Sequence, residues 1–223
     1  TVEGIQCLVL RLTFVGELGY ELHVPESHAV KVYNKIFSMG ESLKKQYIPV
    51  VDAGYGAIDS MSAEKGYRHW HADVSNAVTP MEANIGFTVV PTLKEWEHSD
   101  PTISEKKKEF VGRSALQAQR AEGLKRKLIC LVIDDDKPLH GLETIWRNGD
   151  CVGYVKSTAY GHTIGKTIAY GFVECSKSSD PPRKITNKWL QKGTYFIGDK
   201  GERLPAKLSL KCPYDPSNKK LMI

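Results

Sequence analysis

Apolar and polar residues alternate from Cys7 to Phe14. Leu8, Leu10, Leu12 and Phe14 fall on one face, and Cys7, Val9, Arg11 and Thr13 on the other. The alternation resumes with Tyr20, Leu22 and Val24 opposed to Glu21 and His23. Gly16 and Gly19 lie between the two runs, where a turn requiring positive φ selects glycine, so the pattern predicts a tight β-hairpin. The period then changes. After Pro25, Glu26 and Ser27, Val30, Tyr33 and Phe37 recur at helical spacing as a core stripe, and Gly40 is expected to stop that helix. A second helix runs through Ala57, Ile58, Met61 and Ala63, with Gly66 as its C-cap. Residues 79–88 read as a proline-started turn entering a strand that ends at Val90. Residues 91–109 are polar, hold Pro91 and Pro101, and read as an exposed loop. A short helix over 114–121 is closed by Gly123.

From residue 124 the texture is one of short strands. Residues 128–133 are almost all apolar, as a buried strand requires. Asn148 and Gly149 separate two strand-like runs and predict a hairpin turn. Further strands are expected over 164–173, 193–197 and 207–210, a spacing that suits an antiparallel barrel or sandwich. The expected fold class is α+β, with a boundary near Gly123 dividing 1–123 from 124–223.

Composition changes this picture little. The 223 residues are 41% hydrophobic and 26% charged, ordinary for a globular protein with its own core. No apolar run approaches the roughly 20 residues that span a bilayer, and no signal peptide opens the chain. The first residues already read as strand, which suggests part of something longer. The net charge is +5, but the basic runs at 106–108 and 125–127 are short and read as solvated. They favour no nucleic-acid partner; a mild positive field would suit an anionic ligand such as a folate polyglutamate tail. Cys7, Cys130, Cys151, Cys175 and Cys212 are odd in number and never in CxxC spacing, which argues for reduced thiols in a reducing compartment.

Candidate chemistry is sparse. Glu21 sits just past a turn between apolar neighbours, where a carboxylate could accept two parallel N–H bonds from a flat amidine-like group such as the 2-amino and N3–H edge of a pterin; most acids on hairpins are simply solvated. Gly54-Tyr55-Gly56 lacks the third glycine of a dinucleotide fingerprint. His69 and His71 supply two ligands where a metal site needs three or four, so no metal is expected. Arg68, His69 and Trp70 read as packing at a domain junction, with Arg68 pairing a carboxylate. Glu82, beside Pro80, reads as a backbone anchor.

Phe14-Val15-Gly16-Glu17-Leu18-Gly19-Tyr20-Glu21 resembles the Tyr-Thr-Gly-Glu-x-Gly-(Tyr/Phe/Trp)-Glu motif of the aminomethyltransferase (glycine-cleavage T-protein) family. Residues 79–88 and 110–116 resemble that family's Asn-Pro-x-Glu-x-Gly-Leu and Phe-x-Gly-Lys-x-Ala-Leu segments. The resemblance implies a partial T-protein-like folate-binding domain followed by a C-terminal β-barrel. It makes Glu21 the pterin-binding carboxylate and Phe14, which keeps the ring but not the hydroxyl of the family's Tyr, a lining residue. Tyr20 is left a structural role. The family's Gly-x-Arg-Asp-x-x-Arg-Leu-Glu run corresponds to 56–64, where Ile58 and Ser62 replace both arginines. The family's catalytic Asp precedes the first motif, so no catalytic residue is expected in this chain.

Residues 57–70, 143–149, 166–171 and 213–219 resemble more narrowly the flavin-linked N-methylglycine dehydrogenases, and most of all their sarcosine-oxidising members. That resemblance implies an FAD enzyme of the mitochondrial matrix that oxidises sarcosine to glycine. Its one-carbon unit passes to tetrahydrofolate and its electrons to electron-transfer flavoprotein. This chain has no FAD-binding glycine fingerprint, so FAD is expected on another domain and the chain alone is not expected to oxidise sarcosine. A non-catalytic regulatory relative on the same scaffold, like the regulatory subunit of pyruvate dehydrogenase phosphatase, is the alternative that the two lost arginines suggest. Homo-oligomerisation could cover apolar surface left open by a partial folate domain.

Overall fold

A computed structural model describes residues 1–44, 49–89, 110–134 and 136–221. The expected loop at 91–109, the basic run at 106–108 and the strand end at Val90 lie outside the described residues. The architecture is α+β. Among the described residues, a two-stranded antiparallel sheet and three α-helices precede a closed six-stranded antiparallel barrel.

The sheet is β1 (Leu8–Leu10) paired with β2 (Glu21–His23), in the register Leu8 with His23, Val9 with Leu22 and Leu10 with Glu21. The expected hairpin is present, but residues 11–20 form a long loop instead of a tight turn. Gly16 has the anticipated positive φ of 74°. Gly19 is needed for another reason: a Cβ there would stand 2.6 Å from the Leu12 carbonyl oxygen. The alternating apolar positions are not core either. Leu8, Leu12 and Phe14 are exposed, because among the described residues nothing stacks on this sheet.

Helix α1 (Ala29–Leu43) follows a short 3₁₀ turn at Glu26–His28. It runs through Gly40 and does not stop there. Val50 packs against that glycine so closely that a Cβ would meet its Cγ2 at 2.5 Å. The expected stripe is also rotated: Val32 is buried, whereas Val30 is 72% exposed. Helix α2 (Tyr55–Lys65) ends as anticipated at Gly66, with φ of 70° and the Gly66 and Tyr67 amides returning to Ala63 and Ser62 carbonyls. Residues 79–84 form consecutive turns and lead to a 3₁₀ turn at Gly86–Thr88, not to a strand. There Glu82 and Thr79 cap reciprocally. The Thr79 amide donates to Glu82 Oε2 at 3.1 Å, and the Glu82 amide to Thr79 Oγ1 at 3.2 Å. Helix α3 (Arg113–Glu122) closes at Gly123.

The barrel comprises β3 (Arg126–Ile133), β4 (Thr144–Arg147), β5 (Asp150–Gly161), β6 (Lys166–Glu174), β7 (Tyr195–Asp199) and β8 (Glu202–Ser209). Around the barrel the order is β3-β6-β5-β4-β7-β8, and β8 closes on β3. Asn148 and Gly149, both at positive φ, turn β4 into β5 as expected. Inside lie Ile129, Leu131, Ile133, Ile145, Val152, Val155, Val173 and Ile197, with Leu190 of the short helix α4 (Asn187–Gln191) packed in the same core. β3 is apolar on both faces because its outer face is also covered. Leu128 and Cys130 pack there with Ile168, Tyr170 and Phe172, beneath Ala63 of α2 and Val78. The run at 125–127 is not a free solvated patch. Arg126 bonds Glu82 at 3.1 Å and stacks on Phe172, and burial holds the Lys127 ammonium below its ordinary pKa.

All five cysteines are free thiols. Burial pushes Cys130 up to about 11. No helix among the described residues is long and apolar enough to cross a membrane.

Candidate functional site

The motif residues occupy the hairpin and its loop. Glu21 opens β2 opposite Leu10, and its Oε2 lies 3.3 Å from Nε2 of His23, which shares its face. Phe14 is in the loop, its side chain open to solvent at 65% exposure. Tyr20, expected to be structural, is also exposed. An exposed aromatic ring and a hydrogen-bond-accepting carboxylate therefore lie on one hairpin.

The loop is held from below. Thr13 Oγ1 accepts from the Val15 and Gly16 amides at 3.2 and 3.1 Å, folding the chain onto itself. Gly16 is buried against Lys65, whose Cδ and Cε would lie 2.5 and 2.8 Å from an added Cβ. Only glycine lets the loop settle there. Lys65 is the last residue of α2, and its side chain is 1% exposed. Its ammonium donates to the Asp215 carboxylate and to the Asp215 carbonyl, each at 2.8 Å. That pairing, with amides of Lys219 and Lys220 donating to the same carboxylate, holds Asp215 below the usual carboxylate range.

Helix α2 runs, as expected, through Ala57, Ile58, Met61 and Ala63. Its buried side chains are Ser60, Ser62, Glu64 and Lys65. Each polar group has a partner. Ser60 Oγ donates to the Tyr160 carbonyl at 2.6 Å, and Ser62 Oγ to the Ile58 carbonyl at 2.6 Å. Glu64 Oε1 accepts the amides of Thr163 and Ile164, at 2.7 and 2.9 Å, in the turn joining β5 to β6. Tyr170 of β6 returns a bond to the Ala63 carbonyl at 2.8 Å. The helix is thus bolted to the barrel wall by polar contacts. Ser62, at the position of a family arginine, is turned into its own helix and offers nothing to a ligand.

Behind α2, Arg68 pairs with no carboxylate among the described residues. Its guanidinium donates to the carbonyls of Gly66 and Ala83 and lies 4.7 Å over the Tyr170 ring. The buried Asp73 instead takes the His69 amide at 2.7 Å and the hydroxyl of Ser157. Ser157 follows a bulge at Lys156 in β5, an offset that re-aims the strand's side chains. Among the described residues no group of three or more His, Cys, Asp or Glu is arranged to hold a metal ion. Sequence reasoning missed Glu64, Lys65, Tyr214 and Asp215 as parts of one assembly. No local pattern marks them, since Lys65 and Asp215 are 150 residues apart.

Residues 1–92 match the GCVT N-terminal domain, and residues 126–215 the glycine cleavage T-protein C-terminal barrel domain. The chain is 42% identical over 95% of its length to mitochondrial sarcosine dehydrogenase of Mus musculus, covering 21% of that protein. It is 31% identical over 91% of its length to the mouse mitochondrial pyruvate dehydrogenase phosphatase regulatory subunit, covering 22% of it. The chain thus spans about a fifth of these relatives. The crystal structure of glycine cleavage system aminomethyltransferase T from Bartonella henselae superposes with a TM-score of 0.68 at 21% identity, over 93% of this chain and 49% of that one. Two adjoining domains of one family, in its order, together with this shared fold, make the chain a member of the glycine-cleavage T-protein family.

Proposed function

We propose that this chain is the tetrahydrofolate-binding portion of a flavin-dependent sarcosine dehydrogenase. In the whole protein, sarcosine is oxidised to glycine and the one-carbon unit passes to tetrahydrofolate. Residues 1–123 form the folate-binding unit and 124–223 the barrel that supports it. The observation that carries this reading is the Phe14-to-Glu21 motif, with an open ring and a carboxylate on one hairpin. The 42% identity to a sarcosine dehydrogenase supports this choice of reaction.

Glu21 accepts two N–H bonds from the 2-amino and N3–H edge of the pterin, and Phe14 stacks on its ring. A bidentate contact fixes ring orientation as well as affinity. The folate supplies the one-carbon acceptor nitrogens; this chain binds and orients it. FAD belongs to another domain, since nothing in 1–223 forms a dinucleotide fingerprint. The enzyme works in the mitochondrial matrix, as the mitochondrial relatives suggest, and hands electrons to electron-transfer flavoprotein.

A second reading is a non-catalytic regulator on the same scaffold. It is favoured by Ile58 and by the inward-turned Ser62, which replace the family arginines. Calorimetric titration with 5-formyltetrahydrofolate, a stable reduced folate, decides between them. Glu21→Gln removes a charge-assisted contact of about 1.5–3 kcal/mol, so affinity should fall about ten- to a hundredfold. A parent that binds with a variant that binds equally well removes Glu21 from the site. A parent that binds no folate leaves the regulatory reading.

A further inference from the structure

We propose that the segment 213–221 is a clasp that fixes the Arg11-to-Tyr20 loop in its ligand-ready shape, with Lys65 and Asp215 as the positioning residues. The proposal rests on the folate reading above for what the loop does, and on geometry alone for how it is held.

Three contacts join the segment to the loop and to the end of α2. The Tyr214 amide donates to the Glu64 carbonyl at 3.0 Å. The charge of the nearby Glu17 carboxylate raises the pKa of the Tyr214 phenol. Arg11, where the loop begins, donates to the Leu221 carbonyl at 3.1 Å. Lys65 links the two sides: its methylenes are the floor beneath Gly16, and its ammonium ends on Asp215. Asp215 in turn closes the segment on itself through the Lys219 and Lys220 amides. The loop is thus gripped at its start by Leu221 and at Gly16 by Lys65.

A loop whose outer apolar residues are exposed, on a sheet of only two strands, has little packing of its own to fix it. The clasp supplies that order in advance, so a ligand need not pay for it.

The test uses the whole chain with Asp215→Asn, Lys65→Met and the double variant. Methionine keeps the floor beneath Gly16 and removes the ammonium. Amide hydrogen exchange at Val15 and Gly16 is read beside Leu131 and Ile197 of the barrel, together with affinity for 5-formyltetrahydrofolate. Loop exchange should quicken about tenfold or more while the barrel amides stay protected, since local opening is independent of global unfolding. Folate affinity should fall by about tenfold, a lost hydrogen bond to a charged group being worth at least that much. The double variant should be no worse than either single one, because the pair acts as a unit. Unchanged loop exchange in a folded Asp215→Asn overturns the clasp, whatever folate does. Quickened exchange in a chain that binds no folate supports the clasp and sinks the folate reading. If the buried-pair variants do not fold, Arg11→Met decides, since it removes the exposed donor to the Leu221 carbonyl; loop exchange unchanged in that variant counts against the proposal.

Discussion

Replacing Glu64 tests how the helical part is joined to the barrel. Its side chain is among the largest fully buried ones, at 1% exposure, and one oxygen takes two backbone amides in the turn between β5 and β6. Glu64→Ala deletes the acceptor and leaves the Thr163 and Ile164 N–H groups facing a void. A buried donor without a partner costs about 1–3 kcal/mol. Two such donors, partly rescued by water entering the space, give an expected loss of about 3 kcal/mol, a large share of the roughly 5–15 kcal/mol that holds a domain folded. For a chain of this size that is a fall in melting temperature of roughly 6–12 °C. Glu64→Gln keeps the shape and one acceptor oxygen and loses only the charge assistance, so it should cost about 1 kcal/mol. Urea unfolding followed by circular dichroism gives both values, read as shifts in midpoint at constant slope. The order Ala worse than Gln is the content of the prediction. Equal losses would mean that charge, not the two amide bonds, is what Glu64 contributes. A loss below about 0.5 kcal/mol for Ala would mean that α2 is not held to the barrel through this residue.

Two further outcomes follow from the barrel. Asp134 is held down to about 2 by hydrogen bonds and charge from Lys166 and Lys207. A depressed carboxylate stabilises the fold above its ordinary value and loses that contribution as pH falls from about 4 toward 2; the midpoint gap between parent and Asp134→Asn should be full at pH 6 and vanish near pH 2. Gly153→Ala places a Cβ 2.9 Å from the Phe172 carbonyl carbon and closer still to its oxygen, both backbone atoms that no rotamer can move. Overpacking of this kind costs about 1–3 kcal/mol, and an unchanged denaturation midpoint would show that β5 and β6 can separate there freely.

The sequence alone determined the local elements and most of the barrel. Period-two runs, Asn148-Gly149, Gly66 and Gly123 are signals whose physics is contained within a few residues, so they could be read without knowing the fold. The motif from Phe14 to Glu21 was equally legible, because its spacing is local. What the tertiary structure decided is everything that depends on a distant partner. Gly40 looked like a helix stop and is instead the place where Val50 packs. Nothing in the sequence marks the polar residues of α2 as its buried face; they are, because the carbonyl of Tyr160 and the amides of Thr163 and Ile164 wait on the barrel, about a hundred residues away. A hydrophobic pattern registers burial only when the buried surface is apolar; burial against hydrogen-bonding backbone leaves no such trace. Lys65 and Asp215 make the same point at greater range. Neither residue's neighbours in sequence reveal a buried ion pair, and only the closed barrel brings the 213–221 segment back to the loop that carries Phe14.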